Sequence, residues 1–144
     1  MEEKKIKILP RPFDSIVRYE SLSIQLSEFL EDVADEILKM RRLDGFSYEE
    51  KGGKHWDIVT SADKYVELAV SNWIKRNLPN HGILGEEGVS IDSKDGHIWR
   101  LDPIDGTTNY ERGSDFFGIS CGLEIGDVAV LGVIHYPALG LGLR

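Results

Sequence analysis

A chain of 144 residues with 41% hydrophobic and 29% charged positions can build one real core but not two ordinary domains, and its composition excludes a disordered segment. Its net charge of -8 argues against a general nucleic-acid or anionic-membrane binder, which needs a basic face, although an acidic protein still holds phosphate where metal ions or backbone amides supply the positive field. Cys121 is the one cysteine, which allows no internal disulfide and suits a reducing compartment; no signal peptide or membrane-length apolar run is visible, so the expected location is the cytoplasm.

Residues 1–20 are mixed, with Pro10 and Pro12 opposing any regular element, and read as an N-terminal extension. Leu22, Leu26, Phe29, Leu30, Val33, Ile37 and Leu38 then recur at helical spacing and predict an amphipathic helix from Ser21 to Arg42. The acids between them (Glu28, Glu31, Asp32, Asp35, Glu36) read as its solvated face. Gly45 ends that helix, and residues 46–56 read as a polar loop or hairpin in which Lys51 and Lys54 are solvated. Thr60 with Asp63 three later has the pattern of a capping box, with Asp in place of the usual Glu or Gln. Val66, Ala69, Val70, Trp73 and Ile74 supply the apolar stripe of a second helix, which Pro79 closes.

From His81 the period changes. Ile83-Leu84 leads into Gly85-Glu86-Glu87-Gly88; His97 to Leu101 predicts a short strand; Phe116 to Ile125 and Val128 to His135 predict two more, joined by the two-residue turn Gly126-Asp127. Two helices followed by hairpin-connected strands indicate an α+β fold with mostly antiparallel pairing.

The informative run is Trp99-Arg100-Leu101-Asp102-Pro103-Ile104-Asp105-Gly106-Thr107-Thr108-Asn109-Tyr110. An apolar strand delivers two aspartates, three apart, into a turn that Pro103 should begin by stopping the strand. Gly106 permits a sharp turn or a close approach to a ligand, and Gly106, Thr107 and Thr108 offer backbone N–H groups suited to phosphate oxygens. Magnesium takes hard oxygen ligands, few of them from protein; Asp102 and Asp105 meet that need, and the Ile104 carbonyl lies between them. A calcium EF-hand loop beginning at Asp102 would require acids where Ile104 and Gly106 stand. An aspartyl-phosphate mechanism would require a nucleophile where Pro103 stands. The attacker left is a metal-activated water.

This run, with its Trp lead-in, resembles the first signature of the inositol monophosphatase family, Asp-Pro-x-Asp-Gly-Thr after an apolar strand. Gly85-Glu86-Glu87 is similar to a second family feature, whose first glutamate is a metal ligand, and Asp57-Ile58-Val59-Thr60 with Asp63 is similar to a third. The resemblance runs from about Asp57 to Pro137. It implies the N-terminal part of an α-β-α-β-α layered sugar-phosphatase fold over residues 21–144. It also implies a magnesium-dependent hydrolase of small phosphate monoesters, most simply inositol monophosphate, with histidinol phosphate, fructose 1,6-bisphosphate and nucleotide 3′-phosphates as alternative substrates. By position, the catalytic set it implies is Glu86, Asp102, Thr107 and Asp63. Glu86, Asp102 and the Ile104 carbonyl would hold a first magnesium, and Asp102 with Asp105 would share a second. Gly106, Thr107 and Thr108 would hold the phosphate, and Thr107 would orient the attacking water with Asp63 behind it. The family uses two or three magnesium ions and is commonly homodimeric and lithium-sensitive.

The family fold is roughly twice this length, and its further signature, Trp-Asp followed by small residues, has no counterpart after Trp99. The second metal site is therefore expected to be incomplete, and a competing reading is a truncated half-domain that binds metal or a partner without catalysis. Loss of the covering layer would leave the sheet around Val128–Ile134 bare, so dimerisation or association through it is expected. Simpler readings stand beside the functional ones: Asp57 as a turn or cap, Asp63 as a capping carboxylate, Glu87 as a solvated neighbour of Glu86. His55, His81, His97 and His135 form no metal spacing and read as structural or surface residues; Trp99 and Phe116-Phe117 read as core, and Cys121 as inert within an apolar strand.

Overall fold

The computed structural model describes residues 12–43, 48–50 and 58–144, with side chains described for 18–43 and 60–144. Asp57, Lys51, Lys54, His55 and Gly45 lie outside the described residues. In chain order the elements are α1 (Pro12–Leu43), β1 (Tyr48–Glu50), β2 (Ile58–Thr60), α2 (Ser61–Asn77), β3 (Gly82–Gly85), β4 (Ser90–Ile91), β5 (His97–Asp105), α3 (Thr107–Glu111), β6 (Gly118–Ile125), β7 (Val128–Tyr136), one 3-10 turn (Pro137–Leu139) and β8 (Leu141–Leu143). The fold class is α+β: two main helices followed by a mixed six-stranded sheet in the order β4-β3-β5-β6-β7-β8, with β1 and β2 forming a separate antiparallel pair.

The first helix begins at Pro12, about nine residues before the periodicity starts. Proline is tolerated in the first turn of a helix, where its missing N–H has no intrahelical partner to lose, so Pro12 opens the helix instead of opposing it. α2 starts where the capping pattern places it, and both halves of the box form: the Thr60 amide donates to Asp63 Oδ2 at 2.7 Å, and the Asp63 amide donates to Thr60 Oγ1 at 3.3 Å.

Both helices cover one face of the sheet. Leu26, Leu30, Val33 and Ile37 of α1 and Val66, Val70 and Ile74 of α2 are buried against Ile83, Trp99, Leu101, Ile119, Cys121, Leu123 and Val133. Phe29 stacks on Trp73 at 5.8 Å between ring centres and joins the helices directly. On the sheet's other face Arg100 forms a two-pronged pair with Glu124, 2.8 Å in each prong. A Cβ at Gly122 or Gly132, which face each other in register, would meet nothing.

Two expectations about the strands need correction. β5 does not stop at Pro103 but runs through it to Asp105, with the register against β6 shifting between Asp102 and Asp105. That irregularity removes the need for a ladder N–H at the proline, which is where sheets accept it. Phe116 is not core: it is 73% exposed and precedes β6, while Phe117 is 1% exposed. The pairing is antiparallel except between β3 and β5, which run parallel with Ile83 opposite Trp99. The Gly126-Asp127 turn has positive φ at both residues (53° and 64°), as the favoured hairpin turn requires.

Candidate active site

Parallel β3 and β5 end side by side, so the residues that follow them meet. Gly85 lies opposite Leu101, which places Glu86 beside Asp102, and the Glu86 amide donates to the Leu101 carbonyl at 3.1 Å. The shift in register after Asp102 then carries Ile104 inward, to 2% exposure, and leaves Asp105 exposed.

Asp102 Oδ1 is buried with no hydrogen-bond partner. Burial first, then the Glu86 carboxylate, then Asp105 and Asp63, push its carboxyl from 3.8 up to about 7. Acceptors facing one another in a partly dry site repel unless a cation or a proton lies between them. The donor set is all oxygen: two aspartates, one glutamate and the Ile104 carbonyl. That is the chemistry of a hard divalent cation such as magnesium, and the residues present fit one.

Gly106 turns the chain from β5 into α3 with φ +88°, a conformation that favours glycine; a Cβ there would also stand 3.1 Å from the Phe116 carbonyl. The Asn109 and Tyr110 amides donate back to the Gly106 carbonyl at 2.8 and 3.0 Å. The amides of Thr107 and Thr108 come before the first intrahelical bond of α3. Thr107 Oγ1 lies 3.0 Å from the Ile104 carbonyl and 3.4 Å from Asp63 Oδ1. Asp63 is 1% exposed, caps α2 and lies within hydrogen-bond reach of Thr107. Burial raises its carboxyl, against the lowering effect of hydrogen bonds from Thr60 and Thr107. The structure thus gathers Asp63, Glu86, Asp102, Ile104, Asp105, Gly106, Thr107 and Thr108 at one end of the central strands.

One participant was missed in the sequence. Glu67, 2% exposed on α2, accepts the Glu87 amide at 2.6 Å and the Val89 amide at 2.7 Å. Its signal was a charged residue between Val66 and Val70 on the apolar stripe, one turn after Asp63. The histidines also differ from expectation: donor atoms of His81, Asp95 and His97 lie within 4.8 Å of one another. This group sits at the opposite end of β3 and β5, roughly 16 Å along the strand from Asp102. The Trp99 indole N–H donates to His81 Nδ1 at 3.0 Å, so neutral His81 carries its proton on Nε2 and cannot offer that atom to a metal. His81 stacks on His97 at 4.4 Å and remains a structural residue.

The sequence matches the model of the inositol monophosphatase family over residues 20–142. The chain belongs to this family. It is 35% identical over 126 residues to an inositol monophosphatase of Mesembryanthemum crystallinum, covering 81% of this chain and 46% of that protein. It is 39% identical over 82 residues to a histidinol-phosphatase of Chlorobaculum parvum, covering 57% and 32%. The solved structure of a Thermotoga maritima inositol monophosphatase superposes with a TM-score of 0.73 at 30% identity, over 86% of this chain and 47% of that one. The chain therefore spans about half the length, or less, of the relatives it matches. Among the described residues, no helix is long and apolar enough to cross a membrane.

Proposed function

We propose that this chain carries the metal- and phosphate-holding half of a magnesium-dependent phosphate monoester hydrolase, with inositol monophosphate as its substrate. The observation that carries the reading is the partnerless Oδ1 of Asp102, in a carboxyl that burial and Glu86 raise to about 7. Glu86, Asp102, Asp105 and the Ile104 carbonyl are the residues that would hold magnesium. When bound, the ion supplies the charge that offsets these carboxylates and favours a hydroxide-like nucleophile at neutral pH.

The chain's own residues do the rest. The Gly106, Thr107 and Thr108 amides face the phosphate oxygens. Thr107 Oγ1 accepts a proton from the attacking water as its own proton passes to Asp63 Oδ1, which the Thr60 bonds hold at the other oxygen. Family resemblance favours inositol monophosphate; the matched histidinol-phosphatase makes histidinol phosphate the first alternative, and fructose 1,6-bisphosphate and nucleotide 3′-phosphates follow. The expected setting is the cytoplasm.

A second reading is a non-catalytic half-domain that binds metal or a partner. It is favoured by an apolar groove of about 540 Å³ that opens beside Asp105 and is lined by Phe116, Leu139, Leu141 and Leu143. The same surface and the edge strand β8 support self-association, as a homodimer in the simplest case. Phosphate release from inositol 1-phosphate, with and without magnesium, separates the readings. The enzyme reading expects release that needs magnesium and is lost in Asp102→Asn. Magnesium binding without release favours the metal-binding half-domain, and no binding at all refutes the enzyme and leaves only the partner-binding form of the second reading.

A further inference from the structure

The Gly85-Glu86-Glu87 segment is held from below by a residue outside it. Glu67 rises from α2 and places both carboxylate oxygens on the turn: Oε2 takes the Glu87 amide and Oε1 the Val89 amide, at 2.6 and 2.7 Å. Bonds from backbone N–H to a carboxylate are charge-assisted and among the stronger ones available to a turn. Gly85 is shaped around the same contact, since a Cβ built on it would overlap Glu67 Oε2 and Cδ. The Gly85 amide closes the turn onto the Val89 carbonyl at 2.7 Å, and the Glu86 amide is tied to Leu101, the residue before Asp102. Glu86 is therefore fixed on both sides, by the central strand at its own amide and by Glu67 at the next. Asp63 lies four residues earlier on α2, about 6 Å along the axis, and accepts from the Thr107 hydroxyl at 3.4 Å.

We propose that Glu67 is the positioning residue for Glu86, holding it at the separation from Asp102 that a divalent cation needs; this rests on the metal reading given above. It touches neither substrate nor metal and acts through the backbone of the turn. Groups of this kind, which orient a ligand without coordinating, typically change metal affinity or activity 10- to 100-fold on mutation.

The test uses the full chain and Mn2+ as the probe, with bound ion measured by electron paramagnetic resonance and with amide exchange at Glu87 and Val89 followed by NMR. In Glu67→Gln, which keeps the shape but not the charge, those two amides should exchange faster while the Val70 and Ile74 amides of α2 stay protected. Mn2+ affinity should fall about 10- to 100-fold. Glu67→Asp, which withdraws the charge by one methylene, should fall between, and serves if the Gln chain does not fold. Val70→Ala, a cavity on the same helix that leaves the turn alone, should lower the melting temperature without changing Mn2+ affinity. Wild-type affinity in Glu67→Gln, or an equal loss in Val70→Ala, overturns the positioning role. No Mn2+ binding by the wild-type chain, with Glu86→Gln indistinguishable from it, instead overturns the metal reading and this role with it.

Discussion

Replacing Asp102 with Asn should stabilise the metal-free protein while abolishing its response to magnesium. The Asp102 carboxyl stands at about 7 when folded against 3.8 in the open chain. An acid whose value is raised by folding contributes no penalty below about pH 4, where it is protonated in both states. Between about pH 4 and 7 the folded form holds the proton that the unfolded form releases, so stability falls as pH rises through that window. The full rise corresponds to about 4 kcal/mol; the site is open to water on the Glu86 side, and screening lowers the expected effect to about 2 kcal/mol at pH 7.5. The amide in place of the carboxylate removes the charge, keeps the shape and can donate to Glu86. Denaturant unfolding without metal should therefore find Asp102→Asn about 2 kcal/mol more stable than wild type at pH 7.5 and less than about 1 kcal/mol more stable at pH 5. Taking the difference between two chains cancels the opposite slope contributed by His81 and His135, whose values burial lowers. Magnesium at a hundred times its dissociation constant should stabilise wild type by about 2.7 kcal/mol and leave the variant unmoved, reversing the order. A variant less stable than wild type in metal-free buffer at pH 7.5, or an equal gain from magnesium in both chains, would refute the reasoning.

Cys121 is buried, and burial followed by Asp102 pushes its thiol up to about 12; alkylation by iodoacetamide at pH 8 should be negligible in the folded chain and rapid in denaturant. Tyr110 donates its hydroxyl to the Ile37 carbonyl at 3.0 Å inside the core, so Tyr110→Phe should lose about 1 kcal/mol by calorimetry, the usual worth of one such bond, because Ile37 lies within α1 and its carbonyl keeps its place in the helix ladder. Phe116→Ser, at a position 73% exposed, should change stability by less than about 0.5 kcal/mol. Sedimentation velocity should show concentration-dependent association that Leu141→Lys on the edge strand weakens; a single monomeric species at high concentration would remove the case for an uncovered surface.

What was legible in the sequence follows the range of the interactions involved. Local patterns declared themselves: the α2 stripe, the capping box at Thr60 and Asp63, and the hairpin turn at Gly126-Asp127 each depend on residues within a few positions of one another. The proposed metal ligands were legible because their chemistry is compressed into short runs, Gly85-Glu86 and Asp102 to Asp105, although only the parallel register of β3 and β5 shows why Glu86 meets Asp102. The errors arise where one local rule was set against tertiary context. Pro103 should have stopped a strand, but a shift in the β5–β6 register accommodates it. Phe116 and Phe117 look alike as a pair, yet only one can face the helices, and the strand starting at Gly118 decides which. Glu67 is the instructive miss. A lone acid on an apolar stripe looks like a fault in the stripe until the turn whose amides it accepts is brought beneath it from 20 and 22 residues away. The same fact explains Gly85 in the motif: it is small because a carboxylate from another element occupies the space where its side chain would be. A motif glycine read without its partner is only a flexible hinge, whereas with Glu67 in place it is one half of a contact that holds the turn carrying Glu86, the proposed metal ligand.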